Sequence, residues 1–185
     1  MIRFLGIAAA LTLAACSGTS TLLQYTPAQS DLRLQANVSS VMVQTVTLPS
    51  YAASEEIAVE IEPGIIETSS DFLWADQPER AVTLALTANL NDILGTTVGA
   101  NPWPFPGLPD AAVDVRVSEM VAGVDGNFRL TGQFYTGGDG IDYPNRSERF
   151  AIAVPILGEG VTAISAAQAR AIVDLSERVA RNLGR

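Results

Sequence analysis

The chain has 185 residues, 48% hydrophobic and only 17% charged, which suits one domain with a buried core and excludes a disordered chain. Twenty Asp and Glu stand against 11 cations, all of them Arg, with no His and a single Cys, Cys16, for a formal charge of −9. Those absences remove the Ser-His-Asp triad, His metal sites, Schiff-base and P-loop lysines, intrachain disulfides and thiolate clusters, and the negative charge argues against a nucleic-acid partner.

Residues 1–16 read MIRFLGIAAALTLAAC. Arg3 supplies a positive start, and Phe4 to Leu13 is an apolar run too short for a membrane span of about 20 residues. Leu13-Ala14-Ala15-Cys16 resembles the lipobox of bacterial lipoproteins, which implies a signal peptide over 1–15 and lipidation of Cys16. The residue after it is Ser17 rather than Asp, which by resemblance to lipoprotein sorting rules favours the outer membrane. Residues 16–36 are then the lipidated Cys and a tether, and 37–185 the domain.

Within the domain, residues 38–48 are rich in β-branched residues and stop at Pro49, predicting a strand. Ile57 to Ile61 alternates as a second, and after Pro63-Gly64 the run Ile65 to Thr68 suggests a further short one. Asp76 and Glu79 have capping-box spacing, with Pro78 in the first turn. Val82, Leu86, Leu90 and Ile93 form one helical stripe, and Gly95 is placed to end it. Residues 96–110 hold four prolines around Trp103 and Phe105, predicting a stiff extended loop. Residues 112–121 and 127–135 alternate as a hairpin about Asp125-Gly126, and Phe150 to Ile156 continues the meander. Ser165 to Gln168 reads as a second capping box, opening a helix whose apolar face is Ile172, Leu175, Val179 and Leu183. The order β-β-α-β-β-β-α predicts an α/β (α+β) single domain: one mixed, largely antiparallel sheet covered by two helices.

Several features, in this order, resemble the ABC-type transport auxiliary lipoproteins, the PqiC-like outer-membrane component of MCE lipid-transport systems. They are Gln24-Tyr25-Thr26-Pro27, Val46 to Tyr51, Phe72-Leu73-Trp74-Ala75-Asp76, Asn101-Pro102-Trp103, and the helix from Ser165. Glu60 departs from the pattern, standing where many relatives carry a basic residue. The resemblance implies no catalysis. It implies an adaptor on the periplasmic face of the outer membrane, associating with itself as a ring and docking onto an MCE-domain protein linked to an inner-membrane transporter, in support of outer-membrane integrity. A different reading of the same chain is a structural envelope lipoprotein that stabilises a secretion or lipopolysaccharide-export complex.

Trp74 is expected in the core, whereas Trp103 and Phe105, stiffened by the prolines, are the candidate partner-binding residues. Glu55, Glu56, Glu60 and Glu62 read as a solvated strand edge that resists edge-to-edge pairing. Asp110/Asp114 and Asp139/Asp142 have the composition of an acid/base pair but no pattern that fixes one, and Asp139 to Asp142 lacks calcium-loop spacing. No catalytic residue, metal or cofactor is assigned.

Overall fold

The computed structural model describes residues 20–25, 28–138 and 143–184. The elements in chain order are β1 (Thr21–Leu23), β2 (Ser40–Val43), α1 (Ser50–Ala53), β3 (Glu56–Glu62), β4 (Ile65–Trp74), α2 (Pro78–Leu94), β5 (Thr97–Ala100), β6 (Ala111–Ala122), β7 (Asn127–Gly137), β8 (Arg146–Pro155) and α3 (Gly160–Leu183).

The eight strands among the described residues join one mixed sheet, of which the antiparallel meander β6–β7–β8 forms one side and ends at the edge strand β8. The free edge of β6 is shared, and there the sheet forks. The start of β6 pairs in parallel with β2 (Val41↔Ala111), and β2 carries β5 outside it. The end of β6 pairs in parallel with β3 (Val59↔Ala122), which carries antiparallel β4 and then parallel β1. Most of the paired residues are antiparallel, as expected.

The fork has a local cause. The ladder of β2 stops at Val43, short of the strand predicted through residue 48, yet the chain still follows β6. Gln44 donates to the Val113 carbonyl (2.8 Å), and Thr47 donates to Val115 (3.0 Å) and accepts from Val117 (2.9 Å). Pro49, with no N–H to give, ends this run, and α1 turns the chain into β3.

Alternation decides which face of the sheet is covered. Val113, Val115, Leu130, Phe134, Phe150 and Ile152 point to one face and are buried, while Asp114, Arg116, Arg129 and Tyr135 point to the other. The stripe predicted on α2 and the face predicted on α3 are both buried against that first face. Both helices thus lie on one side of the sheet, and neither covers the other side, which is open among the described residues.

The helix starts differ from the expected capping boxes. The residue preceding α2 is Gln77, without a side-chain cap. Asp76 accepts from the Gln77 N–H (2.9 Å) and pairs with Arg80, and Glu79 is drawn away to the Leu48 N–H (3.4 Å). Pro78 and Gly95 do sit as expected, Gly95 in the left-handed region (φ 56°) with its N–H on the Asn91 carbonyl. α3 begins at Gly160, upstream of Ser165, because Ala163 and Ile164 also pack inward. Ser165 is therefore inside the helix, buried, and its hydroxyl has no hydrogen-bond partner.

The N-terminal segment is docked on the helices. Ser30 donates to Glu177 (2.7 Å), the Leu34 N–H reaches the Ile93 carbonyl (2.8 Å), and Asn37 reaches Leu183 (3.0 Å). Among the described residues, no helix is long and apolar enough to cross a membrane.

Candidate interaction surface

The loop between β5 and β6 carries both candidate partner-binding residues. Trp103 is half-buried and Phe105 is 46% exposed; their rings meet edge to face with centroids 5.0 Å apart. Such a pair orders each ring at little further entropy. Gly99 makes the close packing possible: a Cβ there would lie 2.9 Å from Pro104 Cδ and 3.0 Å from Trp103 Cζ3. The indole Nε1 is sealed from solvent without a hydrogen-bond partner. Asp110 fixes the far end of the loop. Its carboxylate accepts from the Ser39 and Ser40 N–H groups (2.9 and 3.0 Å), and its own N–H donates to the Ser40 hydroxyl (3.0 Å).

The loop continues into the uncovered sheet face. Leu108, 80% exposed, borders an open trough lined also by Ala112, Asp114, Tyr135 and Gly137. On this face Arg116 forks onto Asp114 (2.7 Å) and stacks over Tyr135, 5.0 Å from the ring centre. The result is an aromatic and aliphatic loop beside a polar, internally neutralised floor.

The other acidic candidates are also accounted for. Asp110 and Asp114 are committed to a backbone cap and an ion pair, so they do not form an acid/base pair across a cleft. Asp139 and Asp142 lie outside the described residues, as does Cys16. Trp74 is buried in the core, as expected. Among the described residues, no group of three or more His, Cys, Asp or Glu is placed to hold a metal ion.

Glu60 departs from the solvated edge expected of its cluster. It is buried and bonded to Arg129 (2.8 Å), and it accepts from the N–H groups of Gly64 (2.9 Å) and Val124 (3.3 Å). Arg129 also binds Glu119 (2.8 Å) and Asp125 (3.4 Å), tying the β3–β4 hairpin to the β6–β7 turn. Alternation in β7 could place Arg129 on the uncovered face. Its partner 69 residues away left no local signal.

The Gly64 N–H first, and then the Arg129 hydrogen bond, hold the Glu60 carboxyl below its usual range. A depressed folded-state value contributes stability that is complete above the unfolded value of about 4.3 and is lost as pH falls through the folded one. The wild-type melting temperature should therefore drop on acidification. Glu60→Gln should lower it at neutral pH and flatten its acid dependence; an unchanged slope in thermal melts would remove Glu60 as the source.

An open mixed sheet covered on one face by helices, with an aromatic loop at one end, defines a single-domain α+β fold. The chain belongs to the family of the ABC-type transport auxiliary lipoprotein component, whose model matches residues 21–180. That family is one of membrane-anchored envelope lipoproteins auxiliary to transport systems, and it is not an enzyme family. Among solved structures, the chain is similar to an uncharacterized protein at 19% identity and TM-score 0.73, covering 88% of this chain and 97% of that one. It is also similar to protein XCC0632 from Xanthomonas campestris, of family DUF330, at 17% identity and TM-score 0.70, covering 88% and 95%. At these identities the likeness concerns the fold. No curated protein matches the chain in sequence.

Proposed function

We propose that this protein is a lipid-anchored periplasmic adaptor of an MCE/ABC-type inter-membrane lipid-transport system, held at the outer membrane through acylated Cys16 after removal of residues 1–15. The observation that carries the reading is a transport-auxiliary family match from residue 21 to residue 180, directly behind a lipobox. In this reading the MCE-domain protein docks on the Trp103–Phe105 loop, and copies of the chain associate in a ring. The stiffness of the loop supports it, since proline-held aromatics lose little freedom on binding.

The test is co-purification. From detergent-solubilised membranes, the full chain should bring down an MCE-domain protein, and absence of one sinks the reading. Phe105→Ala and Trp103→Ala should together weaken that association at least about tenfold, the effect of losing roughly 1.4 kcal/mol or more at a hot spot. Thermal stability of the Phe105→Ala chain should stay near that of the wild type. A large fall in melting temperature with association intact would assign the loop to folding instead.

A further inference from the structure

Exposed large apolar side chains collect at the end of the molecule opposite the proline loop. Ile61, Ile65 and Ile66 flank the β3–β4 turn, Val124 sits in the β6–β7 turn, and Leu157 lies in the β8–α3 connection; all five are between 37% and 86% exposed. Hydrogen bonds hold these three connections together as one rim. The two oxygens of Glu60 accept from Gly64 of the first turn (2.9 Å) and Val124 of the second (3.3 Å). Ile156, beside Leu157, donates to Gly126 of the second turn (2.9 Å). Arg129 locks Glu60 and Asp125 from behind. The Glu60–Arg129 pair is therefore the rivet of an aliphatic rim.

The length of chain ahead of β1 says what covers this rim. β1 is pinned to β4 in parallel register, Thr21 opposite Phe72, so the N-terminal end of β1 faces the same way as the start of β4 at Ile65 and Ile66. At about 3.3 Å per residue, Ile66 lies at most roughly 20 Å from Phe72 along β4, and less because the strand bulges between Ser69 and Leu73. Four residues separate Cys16 from Thr21, so the five steps between them reach no more than about 18 Å. Acyl chains on Cys16 can therefore meet a bilayer at the level of the rim, and no long stalk holds the domain away from it.

We infer that the rim of Ile61, Ile65, Ile66, Val124 and Leu157 rests in the headgroup layer of the membrane that anchors Cys16. The inference rests on the lipid-anchored reading above. Side chains on turns keep their backbone polar groups hydrated only at shallow depth, so the contact is interfacial. Charge selects the lipid. Glu62, Glu67 and Glu159 accompany the rim, and Arg129 beneath it is bound by three carboxylates. That balance fits zwitterionic lipids with an ammonium headgroup and opposes anionic ones. β6 spans about 37 Å from Ala122 at the rim to Ala111 beside the proline loop, so a seated rim points Trp103 and Phe105 away from the membrane.

The test uses the full acylated chain in phosphatidylethanolamine/phosphatidylcholine vesicles containing nitroxide-labelled lipid. Ile65→Cys, Val124→Cys and Leu157→Cys each receive an environment-sensitive fluorophore, with Leu108→Cys as the control at the other end; acylation leaves Cys16 no free thiol. The expected result is a blue-shifted, lipid-quenched label at the three rim positions and an aqueous, unquenched label at 108. Replacing part of the zwitterionic lipid by phosphatidylglycerol should reduce the rim signal. Rim labels that stay aqueous while the chain sediments with vesicles overturn the inference. So do labels shielded by self-association without lipid quenching, which would assign the rim to a second copy. A chain that does not sediment at all sinks the anchored reading, and the inference with it.

Discussion

A chain exported through an ordinary cleavable leader, so that it begins at Ser17, is expected to leave the membrane fraction almost completely. Replacing Cys16 within its own leader is a poorer experiment, because an uncut apolar run from Phe4 to Leu13 could hold the chain by itself. The size of the effect follows from hydrocarbon burial. Each acyl CH₂ in the bilayer stabilises anchoring by about 0.8 kcal/mol; one chain holds a protein marginally, and lipoprotein-type acylation adds more than one. The aliphatic rim would not replace that anchor, since its proposed contact is confined to the headgroup layer. Fractionation followed by immunoblotting gives the answer. Unchanged pelleting of the leader-swapped chain would show that Cys16 is not the main anchor. The docked N-terminal segment should be untouched by the swap, because Ser30, Leu34 and Asn37 keep their bonds to α2 and α3.

Phe134→Ala is expected to destabilise the domain by about 3–5 kcal/mol, the range for a buried aromatic truncated to a methyl group. Phe134 is fully buried on β7, opposite Val115 of β6, and its ring stacks near Phe150 of β8 with centroids 6.5 Å apart. It belongs to the core cluster that also holds Ile172, Leu175 and Val179 of α3, so the void would open between sheet and helix layers. For a domain of this length, that loss corresponds to a fall in melting temperature of roughly 6–20 °C. Leu157→Ala, at an exposed position, should stay within about 0.5 kcal/mol. Thermal and urea unfolding of the two variants side by side would check it, and equal stabilities would mean that the sheet and α3 are not held together through Phe134.

How much of this was legible in the sequence varies with the range of the interaction. The period-2 runs of β6, β7 and β8 and the stripes Val82 to Ile93 and Ile172 to Leu183 are local patterns, and they landed on the core as expected. Gly95 was equally readable, because a residue that must enter the left-handed region is nearly always glycine. The capping boxes misled. Asp76 and Glu79 have the right spacing, but Glu79 finds a tertiary partner at Leu48, and Ser165 is buried within a helix that starts upstream. β5 lay hidden in a segment read as loop, since its four residues gain strand form only by pairing with β2. Trp103 and Phe105 could be named from the prolines around them, whereas their edge-to-face packing depends on Gly99 in the neighbouring strand.

Glu60 marks the division most clearly. By itself it is one carboxylate in an acidic run, and solvation is the default for such a group. Its burial becomes tolerable only because Arg129 arrives from β7 while Gly64 and Val124 bring N–H groups to both its oxygens. The sequence by itself determined what local chemistry can encode: which residues are apolar and at what period, where the chain turns, the absence of His and Lys, and the Cys16 leader pattern. The tertiary structure alone decided the fork of the sheet along β6, which face is left uncovered, and the gathering of three turns into one aliphatic rim. Those outcomes depend on contacts between residues far apart in the chain, whose partners are chosen by the closing of the whole fold.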